Sequence, residues 1–249
     1  MFNILCYFWY LPFSIACVIQ SGTTGNPKGA LITHENLVSS GAGFAGTIPM
    51  LPSDRHFSYL PLPHIYERGV VCQMLYSGAS IAFFRGDPLL LIEDIVACRP
   101  TVILMVPRVM NKIHDKIVAG MAAKGGITEK MFKTALHAKT MGLQEGKLTN
   151  ALWDRILFNK IKKALGLDCV RLMCSGSAPL SPTVMAFFRC LLGVPVVEGY
   201  GQTEGSAAAT FGHPNDMASF GHVGGPHDCV DVVLVDVPEM GYLSTGACD

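Results

Sequence analysis

The sequence predicts an α/β fold, a mostly parallel sheet flanked by helices, on three observations. From Ser80 to about Ala123, apolar runs of strand length alternate with segments of helical length, the mark of βαβ units. Thr101 to Val106 is a short, β-branched-rich apolar run of the kind buried on both faces of a parallel sheet. A Gly- and Ser-rich turn at Ser175-Gly176-Ser177 follows another such run, and open α/β sheets bind ligands at the carboxyl ends of their strands.

At the start, Met1 to Ile19 carry no charge, and Phe2, Tyr7, Phe8, Trp9 and Tyr10 make the segment aromatic. Three readings compete. A signal peptide needs a basic n-region, which is absent. A membrane anchor needs about 20 apolar residues; the stretch barely reaches that length, and Pro12 interrupts it. The third reading makes Ile15 to Ile19 a buried strand feeding the loop that follows. The chain divides accordingly into an apolar N-terminal segment of uncertain role (1–18), a main domain (19–244) and a tail (245–249).

That loop is Ser21-Gly22-Thr23-Thr24-Gly25-Asn26-Pro27-Lys28-Gly29. Its glycines permit positive φ and a close backbone approach to a ligand. Successive N–H groups in such a turn form an anion-binding concavity. The hydroxyls add donors, and Lys28 adds a mobile positive charge, a combination suited to a polyphosphate. It is not a Walker A loop, which needs Gly directly before Lys and Ser or Thr after it. The plain alternative is a flexible surface loop.

Thr33 is placed to cap a helix through about Ala45. Gly41, Gly43 and Gly46 spell G-x-G-x-x-G, but the pattern does not open a helix directly after a strand, so no dinucleotide site is expected. A strand then runs into Pro61-Leu62-Pro63-His64, and a helix follows from Tyr66 to about Ser77, stopped at Gly78. His64, on a loop at a strand's end, is a candidate ligand contact; a capping or packing histidine is the plainer reading. Ser80 to Phe84 reads as a strand, Pro88 to Cys98 as a helix ended by Pro100, and Pro107 opens another helix. Lys124 to Gly166 reads as a solvated helical excursion, with apolar residues at helical spacing over Met131 to Met141 and Leu148 to Leu165. Lys160, Lys162 and Lys163 complement the dipole of its last helix.

Cys169 to Cys174 is the next strand, running into Ser175-Gly176-Ser177-Ala178-Pro179-Leu180. Ser181 and Pro182 open a helix through Leu192 in cap and first-turn positions. After a short strand, Pro195 to Val197, comes Glu198-Gly199-Tyr200-Gly201-Gln202-Thr203-Glu204. Its glycines allow close approach to a ligand, and Tyr200 offers a flat face to a base. Thr203 can hydrogen-bond a phosphate oxygen, and Glu204 can hold Mg²⁺, which prefers carboxylate plus substrate phosphates. Gly221 to Pro226 reads as a turn and Asp231 to Met240 as a strand.

Composition narrows the partners. Charged residues are 15% of 249, with formal net charge zero. That charge is low for a soluble protein and leaves no basic excess for nucleic acid, while permitting contact with apolar substrate or with a membrane surface. Nine cysteines, with no C-x-x-C pair and no N-x-[ST] site, point to a reduced intracellular compartment. His213, His222 and His227 lack ligand spacing and read as structural or surface residues.

The loop at residues 21–29 resembles the phosphate-binding loop of the adenylate-forming (AMP-binding) superfamily, and Tyr200-Gly201-Gln202-Thr203-Glu204 resembles its second signature. The chain departs from the usual pattern just before the loop, where Ile19 and Gln20 stand in place of an aromatic and a hydroxyl residue. The Tyr-Glu-Arg continuation after His64, the helical excursion and Val235 to Met240 are similar to the long-chain acyl-CoA synthetases. The resemblance implies a partial N-terminal domain of a long-chain fatty acid–CoA ligase with a helical insertion, colinear over roughly residues 19 to 244. The family's later Gly-Asp segment, hinge and C-terminal lid domain with its catalytic lysine are absent from the sequence as read. The reaction implied is activation of a long-chain fatty acid with ATP and Mg²⁺ to the acyl-adenylate, then transfer to CoA as co-substrate.

The resemblance also implies the site. Ser21, Gly22, Thr23, Thr24, Gly25 and Lys28 hold the outer phosphates. Gly176, Ser177, Ala178 and the Glu198-Gly199-Tyr200-Gly201 stretch hold the nucleotide. Thr203 contacts the α-phosphate, Glu204 with Thr23 holds Mg²⁺, and His64 borders the acyl site. Three readings stay beside it: a truncated non-catalytic nucleotide- or acyl-binding protein, a luciferase-like or shorter-chain acyl ligase, and a membrane-anchored structural protein.

Overall fold

The structure is a computed structural model that describes residues 15–20, 28–217 and 219–242. Strands β1 (Ile15–Gln20) and β2 (Lys28–Thr33) form an antiparallel hairpin whose pairing reaches Gln20↔Lys28 at the loop. The expected strand before the loop is therefore present. The apolar start at 1–14 and loop residues 21–27, with their expected phosphate-binding groups, lie outside the described residues.

A seven-stranded sheet follows in the order β4-β3-β5-β6-β7-β8-β9. Strands β3 (Arg55–Ser58), β4 (Ser80–Phe83), β5 (Val102–Met105), β6 (Leu172–Ser175) and β7 (Val196–Gln202) pair in parallel. Strands β8 (Ala207–Phe211) and β9 (Gly225–Pro226) add an antiparallel edge. Side-chain alternation splits the core in two. Val102, Leu104, Leu172, Cys174 and Val197 face helices α1 (His34–Thr47) and α2 (Ile65–Tyr76), meeting Phe44, Ile48, Val70 and Met74. Ile103, Met105, Met173 and Val196 face the other way. That second layer holds α3 (Leu91–Cys98), α4 (Pro107–Lys124), α5 (Gly126–Gln144), α6 (Ala151–Trp153), α7 (Asn159–Ala164) and α8 (Pro182–Leu192). The expected α/β class, with its helical insertion between β5 and β6, holds.

The topology sets where a ligand fits. The chain leaves β3 for β4 on one side and leaves β5 for β6 on the other, so the connections diverge above neighbouring carboxyl ends. Such a switch point is the usual crevice of an open α/β sheet. Tyr59 bridges it, its Oη accepting the Val106 N–H at 3.0 Å.

Local signals explain the elements. Thr33 caps α1 in a reciprocal box: its Oγ1 accepts the Asn36 N–H at 3.1 Å, and Asn36 Oδ1 accepts the Thr33 N–H at 3.0 Å. Pro107 and Pro182 occupy first-turn positions of α4 and α8.

Four expectations are corrected. The helix expected from Pro88 begins at Leu91. The helix expected over 148–165 is interrupted by a π-helical turn, Asp154–Phe158, where the Asp154 carboxylate takes bonds from the buried Lys139 ammonium and the Asn150 N–H. The strand expected to end at Val197 continues to Gln202 because β8, unforeseen in its alanine-rich sequence, pairs beside it. The strand expected over Asp231 to Met240 has no sheet partner among the described residues. A single bridge, Val237↔Tyr242, and a 3₁₀ turn at Pro238–Met240 replace it, and Val233 is 80% exposed. An alternating apolar sequence makes a strand only where a neighbouring edge takes its N–H and C=O groups.

The amino-terminal side of the sheet is tied by Asp54, 2% exposed. Its carboxylate accepts the Leu51 N–H at 2.7 Å, the Thr101 hydroxyl at 2.7 Å and Arg171 Nε at 2.8 Å, with a second bond from Arg171 Nη2. Burial alone raises such a carboxyl, but these donors outweigh it and hold Asp54 below the usual range. A depressed folded pKa gives stability that is present above the unfolded value of about 3.9 and is lost as pH falls through the folded one. Asp54→Asn is expected to cost about 3 kcal/mol at pH 7, the low end for a broken buried pair because Arg171 reaches solvent. Urea unfolding at pH 7 and pH 3 checks this, with the difference between proteins shrinking at the lower pH.

Candidate functional site

The carboxyl ends of the parallel strands carry three of the predicted segments side by side. The first is the turn after β3. His64 is exposed and caps α2, its Nδ1 accepting the Tyr66 N–H at 3.2 Å. That bond assigns Nδ1 as acceptor and leaves Nε2 as the N–H donor. The capping reading of His64 is thus correct, and the ring keeps a donor for a ligand.

The next segment is the turn after β6. Ser177 adopts φ 74°, a left-handed conformation uncommon for serine, and so bends the chain sharply after Gly176. A Cβ at Gly176 would lie 3.2 Å from the Tyr66 ring, so this glycine lets the turn rest on that aromatic. Beneath the turn, buried Glu198 accepts the Leu180 N–H at 2.8 Å through Oε1. Burial raises the Glu198 carboxyl above its ordinary range, and the Leu180 N–H opposes the shift. Glu198 therefore supports the Gly176-Ser177-Ala178 segment from below.

The last segment closes β7. Tyr200 is 52% exposed. Thr203–Gly205 is a 3₁₀ turn with Glu204 exposed in it, and Glu204 makes no hydrogen bond or ion pair among the described residues. The glycines have a packing role that was not expected. A Cβ at Gly199 would meet the Phe211 ring at 2.4 Å, and one at Gly201 would meet the Ala207 carbonyl oxygen at 1.5 Å. They admit β8. Directly after the turn, Ser206 and Ala207 hold φ 57° and 98°, and such strain persists only where surroundings impose it. Two contacts impose it here. Ser40 Oγ of α1 donates to the Ser206 carbonyl at 2.8 Å, and Ala207 is buried with Ile32 of β2 and Ile65 of α2. The strand leaving the first loop, the helix begun at His64 and the strand leaving Thr203-Glu204 thus share one apolar contact. Ser40, Ile65 and Ala207 were not singled out from the sequence. Nothing in their residue types marks them, since their roles arise from tertiary packing.

Around Tyr66 the interior is polar. His56 Nε2 and Glu67 Oε1 are 3.0 Å apart, both side chains fully buried. Burial pushes the Tyr59 hydroxyl up to about 12 and the Tyr66 hydroxyl well above the usual tyrosine range. Tyr66 Oη and Ser175 Oγ are buried without a hydrogen-bond partner.

Two hollows adjoin these segments. A narrow apolar crevice between α1, α2 and β8 is walled by Gly41, Phe44, Tyr66, Gly69, Val70 and Ala208, with about 20 Å³ of free space. A wider hollow of about 460 Å³ is lined by Thr47, Phe211, His213, Asp216, His222 and Pro226. There His222 Nδ1 accepts the Gly224 N–H at 3.1 Å and Nε2 lies 2.7 Å from Ser219 Oγ, which also bonds Asp216. The Ser219 proton goes to Asp216 and not to His222, so this trio is no activated nucleophile. Among the described residues no group of three His, Cys, Asp or Glu side chains could hold a metal ion. Among them also, no helix is long and apolar enough to cross a membrane.

Residues 14–247 match the family described as AMP-binding enzyme. The chain is 45% identical over 224 residues to long chain acyl-CoA synthetase 6, peroxisomal, of Arabidopsis thaliana, covering 90% of this chain and 32% of that protein. It is 44% identical over 229 residues to human long-chain-fatty-acid–CoA ligase 1, again 90% of this chain and 32% of that protein. The chain thus spans about a third of the length of these curated relatives. In fold it is similar to the N-terminal domain of FACL13 from Mycobacterium tuberculosis, with TM-score 0.58 and 21% identity, covering 85% of this chain and 43% of that one.

Glu198→Gln keeps the acceptor for Leu180 and removes a buried charge. A carboxyl with a raised folded pKa gives stability that is present below the unfolded pKa, about 4.3, and lost as pH rises through the folded value. The variant is therefore expected to be more stable than the parent at pH 7 and equal to it at pH 4, as read by urea midpoints.

Proposed function

The chain belongs to the AMP-binding enzyme family, and from that premise we infer that it is the nucleotide-binding part of a long-chain fatty acid–CoA ligase. The relatives at 44–45% identity carry that activity in their names. The reaction has two steps. A fatty carboxylate attacks the α-phosphorus of ATP and releases pyrophosphate, giving an acyl-adenylate. The CoA thiol then attacks the acyl carbon and releases AMP.

The observation that carries the reading is the buried meeting of Ile32, Ile65 and Ala207. It draws together the strand that leaves the Gly/Thr loop, the His64 turn and the Thr203-Glu204 turn, three segments that one nucleotide must touch. Protein help at phosphorus is mainly positioning and charge neutralisation. Ser21 to Gly25 and Lys28 hold the outer phosphates through N–H groups, hydroxyls and one ammonium. Gly176 to Ala178 and Tyr200 face the base, with Glu198 setting the height of that turn. Thr203 donates to the α-phosphate. Glu204, with Thr23, would hold magnesium: Glu204 is an exposed carboxylate on the turn assigned to the phosphates, without a partner among the described residues. When bound there, Mg²⁺ supplies neutralisation of the phosphate charge. His64 offers Nε2–H at the acyl side.

The acyl chain is assigned to the crevice between α1 and α2, whose glycines and alanines leave apolar walls beside Tyr66, two residues after His64, and Ala207. That crevice holds little free space, so α1 must part from α2 to admit a chain. An intracellular setting belongs to the same proposal, supported by the free thiols of the described cysteines; so does contact with a membrane surface as the source of the fatty acid, in keeping with the chain's low charge.

Calorimetric titration with ATP is the test. Saturable binding that Mg²⁺ strengthens is expected, and Glu204→Gln should remove the Mg²⁺ effect with about a tenfold loss of affinity, or about 1.4 kcal/mol. An unchanged Mg²⁺ dependence in the variant would contradict the assignment.

A further inference from the structure

Helix α2 places an unpaired amide next to Gly41, a residue of the apolar crevice wall. Gln73 is 1% exposed, and both Nε2 and Oε1 are buried with no hydrogen-bond partner. A buried amide left unsatisfied is costly, and native interiors rarely keep one without a use. An apolar side chain of similar length would fill the same space at no such cost.

Its position is informative. Gln73 lies seven, four and three residues beyond Tyr66, Gly69 and Val70, the spacings that put side chains on one helix face. Those three residues wall the crevice. Gly41, on the opposite wall, would bring a Cβ to 3.6 Å from Gln73 Oε1, so the amide abuts the crevice backbone. The same face therefore reads, along the helix, as an aromatic, a glycine, a valine and then a lone hydrogen-bonding group. Tyr66 and Gln73 are separated by about 10 Å along the axis. The amide does not line the closed crevice; it lies behind Gly41, away from the His64 end, where a chain that parts α1 from α2 reaches it.

We propose that Gln73 is a specificity residue that selects fatty acids bearing a hydroxyl part-way along the chain. The inference rests on the crevice being the acyl site. An amide offers both a donor and an acceptor. A chain hydroxyl answers both, accepting from Nε2–H and donating to Oε1; a methylene answers neither and leaves the amide unsatisfied. Sites built to bond a hydroxyl reject the analogue that lacks it far more strongly than apolar pockets reject a missing methylene.

The test uses this chain and a binding readout. The fluorescent polyene fatty acid cis-parinarate is bound first, then displaced by palmitate and by hydroxypalmitates with the hydroxyl at successive positions. One positional isomer is expected to displace it at least about tenfold better than palmitate. Gln73→Met, which keeps length and removes both polar atoms, should reverse that order while raising palmitate affinity. Palmitate equal to or better than every hydroxy isomer on the parent chain overturns the proposal and leaves the acyl crevice intact. So does an unchanged ranking in Gln73→Met. If no fatty acid binds at all, the acyl-site reading fails and takes this proposal with it. Should Gln73→Met not fold, as judged by circular dichroism, the ranking on the parent chain decides alone.

Discussion

The site depends on how closely β8 lies against β7. Gly201 has the Ala207 carbonyl where a side chain would be, and Gly199 has the Phe211 ring there. Only that closeness lets the chain reverse through Thr203–Gly205 and return at once. Ser206 and Ala207 then hold left-handed φ values that neither residue prefers. Ser40 holds the Ser206 carbonyl, and Ile32 and Ile65 bury Ala207. The strain is confined to two residues, and its result is a fixed exposed loop bearing Thr203 and Glu204. Strained backbone of this kind is a frequent companion of binding sites.

The sheet supplies the rigid frame for that loop. Each central strand is buried on both faces, with alternate residues feeding separate cores. Asp54 and Arg171 lock the amino ends, while the carboxyl ends stay open for turns. This division follows from parallel topology, in which helices cover both faces and leave ligands only the ends of the strands. The polar groups gathered there, Tyr59, Tyr66, Glu67, His56 and Ser175, sit behind the turns and not in front of them. Their burial makes them part of the support, and Glu198 has the same character.

Much of this was legible in the residues. Pro107 and Pro182 marked helix starts, Thr33 marked a cap, and the runs around Ile103 and Met173 announced buried strands. These are local signals, and local physics decides them. His64 was legible as a cap, and its Nε2 stays free for the ligand contact also expected, because the two uses need different ring nitrogens. The packing of β8 against the glycines at 199 and 201 was not legible, since sequence shows that a side chain is missing but not what occupies its place. Strand β8 was missed because alanines have little strand preference, and a neighbour with room supplied what propensity did not. The reverse occurred at Val232 to Val235, where a good strand sequence found no edge among the described residues. Long-range pairing, unlike capping, is written in two distant places and can be read only when both are known.

The central claim is that the loop at 21–28, the turn at 176–180 and the turn at 198–206 close on one nucleotide. Hydrogen–deuterium exchange of the chain with and without Mg·ATP tests it most directly. Slowed exchange in all three segments at the same nucleotide concentration is the result the account predicts. Slowing confined to one segment, or appearing in different segments at different concentrations, would contradict it.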